Sequence, residues 1–262
     1  MADAEKRWNG KVFFVGAGPG DPDLITVKGR RLLRRADRVV YAGSLVPRAL
    51  LDQCKPGAEV YDSAPLTLEE THALLVEAAK RGRLVVRLHT GDPALYGAVQ
   101  EQMRLLDRDG IDYEVVPGVS AAFAAAAHIR CQLTLPEVSQ TVIFTRATGR
   151  TPVPDRESLR SLATHRATMA IYLSVSRMDA VVEDLCGSYP QETPVVVAYR
   201  VGWPDERILR GTLADIAEKV READIGRQAV ILVGDALDPG RHGTRSRLYH
   251  ESFGHGFRSS SP

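Results

Sequence analysis

Along this chain, short runs of consecutive apolar residues alternate with longer stretches in which apolar residues recur every three or four positions. Val12-Phe13-Phe14-Val15 is apolar throughout and stops at a glycine cluster, the pattern of a strand buried on both faces. Residues 26–36 then place Leu32, Leu33 and Ala36 on one side of a helix and Arg30, Arg31, Arg34 and Arg35 around the rest. The alternation continues with a strand at 38–41, a helix at 68–80 carrying Leu74, Leu75, Ala78 and Ala79, a strand at 84–88, a helix at about 96–106 and a strand at 113–116. Strands and helices in this order predict a mostly parallel sheet with helices on its faces.

Pro117-Gly118 interrupts the order before an alanine-rich helix at 120–127, and the first domain is expected to end there. The second half predicts strands at 141–145, 168–173, 194–199 and 229–233, with helices at 178–185 and 213–221. Residues 207–210, beside Gly211, fit a hairpin partner for the strand before them, which would make this sheet mixed. From Asp238 onward the patterning stops; Tyr249, Phe253 and Phe257 recur every four residues there, which fits either one face of a short helix or a disordered tail. The expected organisation is two α/β domains, 1–117 and 118–238, and a tail at 239–262.

Composition agrees with this and narrows the function. A chain of 262 residues, 44% hydrophobic and 26% charged, can form two cores without disulfides or metals. A net charge of +1 argues against a dedicated nucleic-acid binder. No run approaches the ~18 apolar residues of a membrane span, and Met1 to Arg7 lacks the apolar core of a signal peptide, so a cytoplasmic protein is expected. Cys54, Cys131 and Cys186 form no CxxC pair and the histidines show no ligand spacing, so no metal site is expected.

Candidate chemistry gathers in the loops that leave strands. Val15-Gly16-Ala17-Gly18-Pro19-Gly20-Asp21 follows the first strand, but Asp21 stands where a dinucleotide fingerprint needs its third glycine, and no lysine completes a P-loop. What remains is a rigid loop of bare backbone that a flat ligand can approach closely. His89-Thr90-Gly91-Asp92-Pro93-Ala94-Leu95-Tyr96-Gly97 follows the strand at 84–88, and Pro117-Gly118-Val119-Ser120-Ala121 follows the one at 113–116. In an open α/β sheet, loops at the carboxyl ends of strands line one crevice, so these three should converge.

The segments GAGPGDPDLIT, GDPALYG and VPGVSA, in this order and spacing, resemble the tetrapyrrole methylase family from Lys11 to about Ala236. Three further segments, 40–46, 97–102 and 133–141, together with Ser246 to Tyr249 and Phe253 to Arg258, are most similar to members that methylate carbon 11 of precorrin-4. The resemblance implies two α/β domains that are not of Rossmann type, with a cofactor and substrate cleft between them. It implies S-adenosylmethionine as cofactor, S-adenosylhomocysteine as product, a precorrin-4 substrate and a homodimer. The cofactor contacts it implies are Pro19, Thr90, Gly91, Asp92, Leu95, Ser120, Ala121, Leu173, Val201 and Ala229, with Leu173 standing where many relatives have methionine. Ser44 and Leu45 lie in the subgroup-specific loop and are expected to shape the substrate pocket. Arg146 and Arg200, at strand ends, are candidates to pair with the acetate and propionate groups of such a substrate. Asp21 is the candidate catalytic residue, a polar group facing the ring, with a turn or helix-start role as its alternative. His89 adjoins a cofactor loop but reads as structural rather than as a base.

Overall fold

The computed structural model describes residues 8–238, 240, 253, 254, 256 and 257. Tyr249 and most of the expected tail lie outside the described residues. The described residues form two compact units, one from 8–124 with 200–206 and one that includes 125–199 and 207–238. Each carries its own five-stranded sheet.

In the first unit, β1 (Val12–Gly16), β2 (Arg38–Tyr41), β3 (Glu59–Asp62), β4 (Val85–His89) and β5 (Tyr113–Val116) lie in the order β3-β2-β4-β1-β5, all parallel. Parallel strands need crossovers, and α1 (Val27–Leu33), α2 (Arg48–Leu51), α3 (Leu68–Lys80) and α4 (Val99–Arg108) supply them on both faces. The alternate residues of β1 explain its unbroken apolar run. Phe13 and Val15 join Leu32, Leu33, Val39 and Leu88 on one face, while Val12 and Phe14 join Val40, Leu75 and Leu106 on the other. α3 begins with a reciprocal cap, in which Thr67 Oγ1 accepts from the Glu70 amide and Glu70 Oε2 accepts from the Thr67 amide. α4 begins at Val99 rather than 96, because Tyr96 and Ala98 both hold left-handed backbone.

In the second unit, β6 (Val142–Arg146), β7 (Thr168–Tyr172), β8 (Pro194–Tyr199), β9 (Arg207–Thr212) and β10 (Ala229–Val233) lie in the order β6-β7-β10-β8-β9. Only β6 and β7 run parallel, and β9 forms the antiparallel hairpin with β8. Residues 121–128 form α5, followed by α6 (Leu159–Ala163), α7 (Met178–Cys186) and α8 (Ile216–Glu222). Met169, Ile171, Val181, Leu185, Val195, Ile216 and Ile231 build the core of this unit. No described helix is long and apolar enough to cross a membrane.

Where sequence placed a boundary at 117, the compact units divide inside α5, and 200–206, the turn between β8 and β9, packs with the first unit. The reason is local: this turn hydrogen-bonds to the loop after β1.

Candidate active site

Strand order brings the three glycine loops together. β4, β1 and β5 are neighbours, so the loops leaving them emerge side by side although they are far apart in sequence. Their backbones are stitched directly. The Ala17 amide donates to the His89 carbonyl at 2.7 Å, the Gly91 amide to the Gly18 carbonyl at 2.8 Å, and the Gly18 amide to the Gly91 carbonyl at 3.3 Å. Asp92 ties the third loop to the second, its carboxylate accepting from the Gly118 amide at 2.9 Å and from the Ala94 amide at 2.8 Å.

Two glycines make this approach possible. A Cβ on Gly118 would lie 2.1 Å from the Gly91 carbonyl oxygen and 2.8 Å from Gly16 Cα, and one on Gly16 would lie 2.5 Å from Gly118 Cα. Gly91 is glycine for another reason: its φ is +60°, and a Cβ there would meet nothing closer than Ser120 Cα at 3.8 Å. The loops are locked together at Gly16 and Gly118, while at Gly91 a side chain would reach only ordinary contact with the Val119–Ser120 backbone.

Of the residues expected at the site, Pro19, Thr90, Gly91, Asp92, Leu95, Ser120, Ala121 and Val201 belong to the first unit. Pro19, Ser120 and Val201 are buried, and Leu95 and Ala121 are half-buried. Asp21 Oδ1 accepts from the Asp23 amide at 2.9 Å and caps a short 3-10 turn, Pro22–Leu24, which is its helix-start alternative. Ser44 and Leu45 lie in the turn Gly43–Leu45 after β2, whose neighbour in the sheet is β4.

Leu173, Ala229 and Arg146 belong to the second unit. Leu173 follows β7 with a φ of +55° and an exposed side chain. Ala229 opens β10 opposite Tyr199. Arg146 donates to the carbonyls of Thr151 at 3.0 Å and Pro152 at 2.9 Å, bracing the loop after β6. Arg200 pairs with Asp205 at 2.8 Å and lies 4.0 Å from the centre of the Trp203 ring. Both guanidiniums, expected to meet a substrate, make these contacts within their own loops.

Burial disposes of His89 as a base near neutral pH. Desolvation first, and the nearby Arg87 charge second, push its pKa down to about 3, and its Nε2 has no hydrogen-bond partner among the described residues. Arg87 itself escaped the sequence reading, which took it for an ordinary strand residue. Its Nε donates to Gln102 Oε1 at 3.1 Å and its Nη1 to the Val40 carbonyl at 3.3 Å, and burial pulls its pKa down to about 10. Gln102 in turn donates to the Ala98 carbonyl at 3.1 Å. One buried guanidinium thus links the two segments, 40–46 and 97–102, that carry the subgroup resemblance. A cavity of about 330 Å³ lined by Trp8, Arg34, Arg35, Asp37, Lys55 and Leu84 lies at the amino ends of β2 and β4, the opposite edge of the sheet from these loops.

Comparison with known proteins identifies the family. Residues 11–217 match the profile of the Tetrapyrrole (Corrin/Porphyrin) Methylases. The cobalt-precorrin-4 C(11)-methyltransferase of Methanocaldococcus jannaschii is 54% identical over 253 residues, 96% of this chain and 97% of that protein. The X-ray structure of a cobalt precorrin-4 methyltransferase, a cobalamin biosynthetic enzyme, superposes with a TM-score of 0.86 at 51% identity, covering 88% of this chain and 97% of that one. A uroporphyrin-III C-methyl transferase from Thermus thermophilus, complexed with S-adenosylhomocysteine, gives 0.72 at 31% identity, covering 87% and 93%. The chain belongs to the tetrapyrrole methylase family.

Proposed function

We propose that this protein transfers the methyl group of S-adenosylmethionine to carbon 11 of precorrin-4, or of its cobalt complex. The observation that carries this is the convergence of three glycine loops, Gly16–Asp21, Thr90–Leu95 and Gly118–Ala121, into one stitched backbone surface at the carboxyl edge of the first sheet. The 54% and 51% identities to C(11) and cobalt precorrin-4 methyltransferases support the substrate, and the homologue complexed with S-adenosylhomocysteine supports the cofactor.

The residues fit such a cofactor. The stitched glycine loops present backbone with little side-chain bulk for a flat group to approach, and half-buried Leu95 in the second loop offers an apolar surface. When bound, the cofactor supplies an electrophilic methyl on a sulfonium. The protein's share is orientation: holding a nucleophilic ring carbon in line with that methyl contributes on the order of 7–11 kcal/mol. No titrating histidine is required, and His89, neutral and buried, serves as packing. Arg87 and Gln102 tie the end of β2, from which the Gly43–Leu45 turn leaves, to the start of α4, so that the ring meets a fixed wall. We assign Ser44 and Leu45 to that wall. The resemblance adds a homodimer working in the cytoplasm, which light scattering and cell fractionation test.

The deciding experiment supplies carbon-13 methyl-labelled S-adenosylmethionine with precorrin-4, with and without cobalt, and reads the product by carbon NMR. A new methyl at carbon 11 is the expected result. A label at another carbon overturns the position while sparing the cofactor, and the substrate form that turns over identifies the natural one.

A further inference from the structure

The loop Gly16–Asp21 poses a physical problem. Its three glycines give up more conformational freedom on ordering than any other residues and offer no side chains to anchor them. Gly91 holds it from one side through two backbone hydrogen bonds. On the other side stands Trp203, 184 positions away from the carbonyl it contacts: its indole Nε1 donates to the Pro19 oxygen at 3.0 Å. The ring sits so close that a Cβ on Gly20 would lie 2.3 Å from its Cδ1, and Gly202 packs on the Asp21 backbone, where a Cβ would lie 2.6 Å from the Asp21 nitrogen.

The indole is itself held. The Arg200 guanidinium stacks at 4.0 Å from the ring centre and is fixed by Asp205 at 2.8 Å, while the Trp203 amide donates to the Arg200 carbonyl at 2.9 Å. Glu206 Oε2 accepts from the Gly202 amide at 2.8 Å and closes the turn. Arg200 and Gly202 adopt left-handed backbone to make this shape. All of this lies outside the three glycine loops.

We infer that Trp203 is a positioning residue for the cofactor: the turn 200–206 clamps the Gly18–Asp21 loop into its ligand-ready shape, and affinity for the adenosyl ligand depends on that clamp. The inference rests on the reading that this loop holds S-adenosylmethionine, and wild-type titration tests that reading separately. The experiment is calorimetric titration of S-adenosylhomocysteine into wild type, Trp203→Phe and Trp203→Ala, with circular dichroism and thermal melts to establish folding, and KM for S-adenosylmethionine where turnover is measurable. Trp203→Ala, which removes ring and donor, weakens binding about tenfold or more, equivalent to about 1.4 kcal/mol. Trp203→Phe keeps an aromatic ring but loses the donor, and weakens binding roughly two- to tenfold, the range of one net hydrogen bond. KM for the cofactor rises in step. A merely structural tryptophan would lower the melting temperature and leave the affinity of the folded protein unchanged, and that result in either folded variant overturns the inference. If Trp203→Ala does not fold, Trp203→Phe decides alone. A wild type that fails to bind removes the cofactor reading and this one together, whereas a binding wild type with unaffected variants removes only this one.

Discussion

Adding one methyl group at Gly118 is the sharpest available perturbation of the site. The new Cβ would lie 2.1 Å from the Gly91 oxygen, 2.8 Å from Gly16 Cα and 3.0 Å from Gly16 C, all backbone atoms of the two other loops, so no side-chain rotation can relieve it. Reaching an ordinary contact requires the loops to separate by more than ~1 Å. Overpacking of this kind costs roughly 1–3 kcal/mol, and with three backbone clashes the upper end applies. About 3 kcal/mol corresponds to a fall of roughly 6–12 °C in Tm, and a ~1 Å misplacement to about 100-fold in turnover. Two other glycines separate steric closure from backbone strain. Gly91→Ala meets nothing within 3.8 Å and carries only the left-handed penalty of its +60° φ, about 1–2 kcal/mol. Gly110→Ala, with φ of +65° and nothing within 4 Å, carries the same penalty at the other edge of the sheet. Differential scanning calorimetry and titration with S-adenosylhomocysteine on all three variants give the comparison. Gly118→Ala should lose both stability and binding, and Gly110→Ala only stability. A Gly118→Ala protein with the Tm and ligand affinity of Gly110→Ala would show that the loops do not meet as described.

Two further outcomes follow from the same loops. Asp92→Ala strips the acceptor from the Gly118 and Ala94 amides and should cost about 2 kcal/mol, read from denaturant midpoints, with Asp92→Asn intermediate because one oxygen remains; an unchanged midpoint for the alanine variant would dismiss the tie. His89 has a folded pKa of about 3 against ~6.5 unfolded, so the unfolded chain binds the extra proton. The stability this group confers is full above pH ~6.5 and drains as pH falls toward 3; His89→Phe should flatten that slope, and a variant with the wild-type slope would contradict the burial argument.

Much of this protein could be read before any fold was known. The strand at 12–15, the helix at 68–80 and the hairpin of β8 and β9 all follow from local pattern, because burial on one or two faces imposes a period on neighbouring residues. β3 was missed because an edge strand of four residues alternating between Glu59, Val60, Tyr61 and Asp62 carries too weak a pattern, and α6 because five residues are barely a turn and a half. The glycine loops were legible as motifs, since close backbone approach requires glycine wherever it occurs.

Only tertiary structure decided what those loops do to one another. The adjacency of β4, β1 and β5 is a matter of strand order, which no local pattern encodes, and it alone turns Gly16, Gly91 and Gly118 into one contact. The contacts of individual polar residues were decided the same way. Asp21 caps a short turn, Arg146 and Arg200 reach groups of their own loops, and Arg87 and Trp203, silent in sequence, link distant segments. A side chain's chemical type is fixed along the chain, but its partner is whichever group the fold brings within hydrogen-bonding distance.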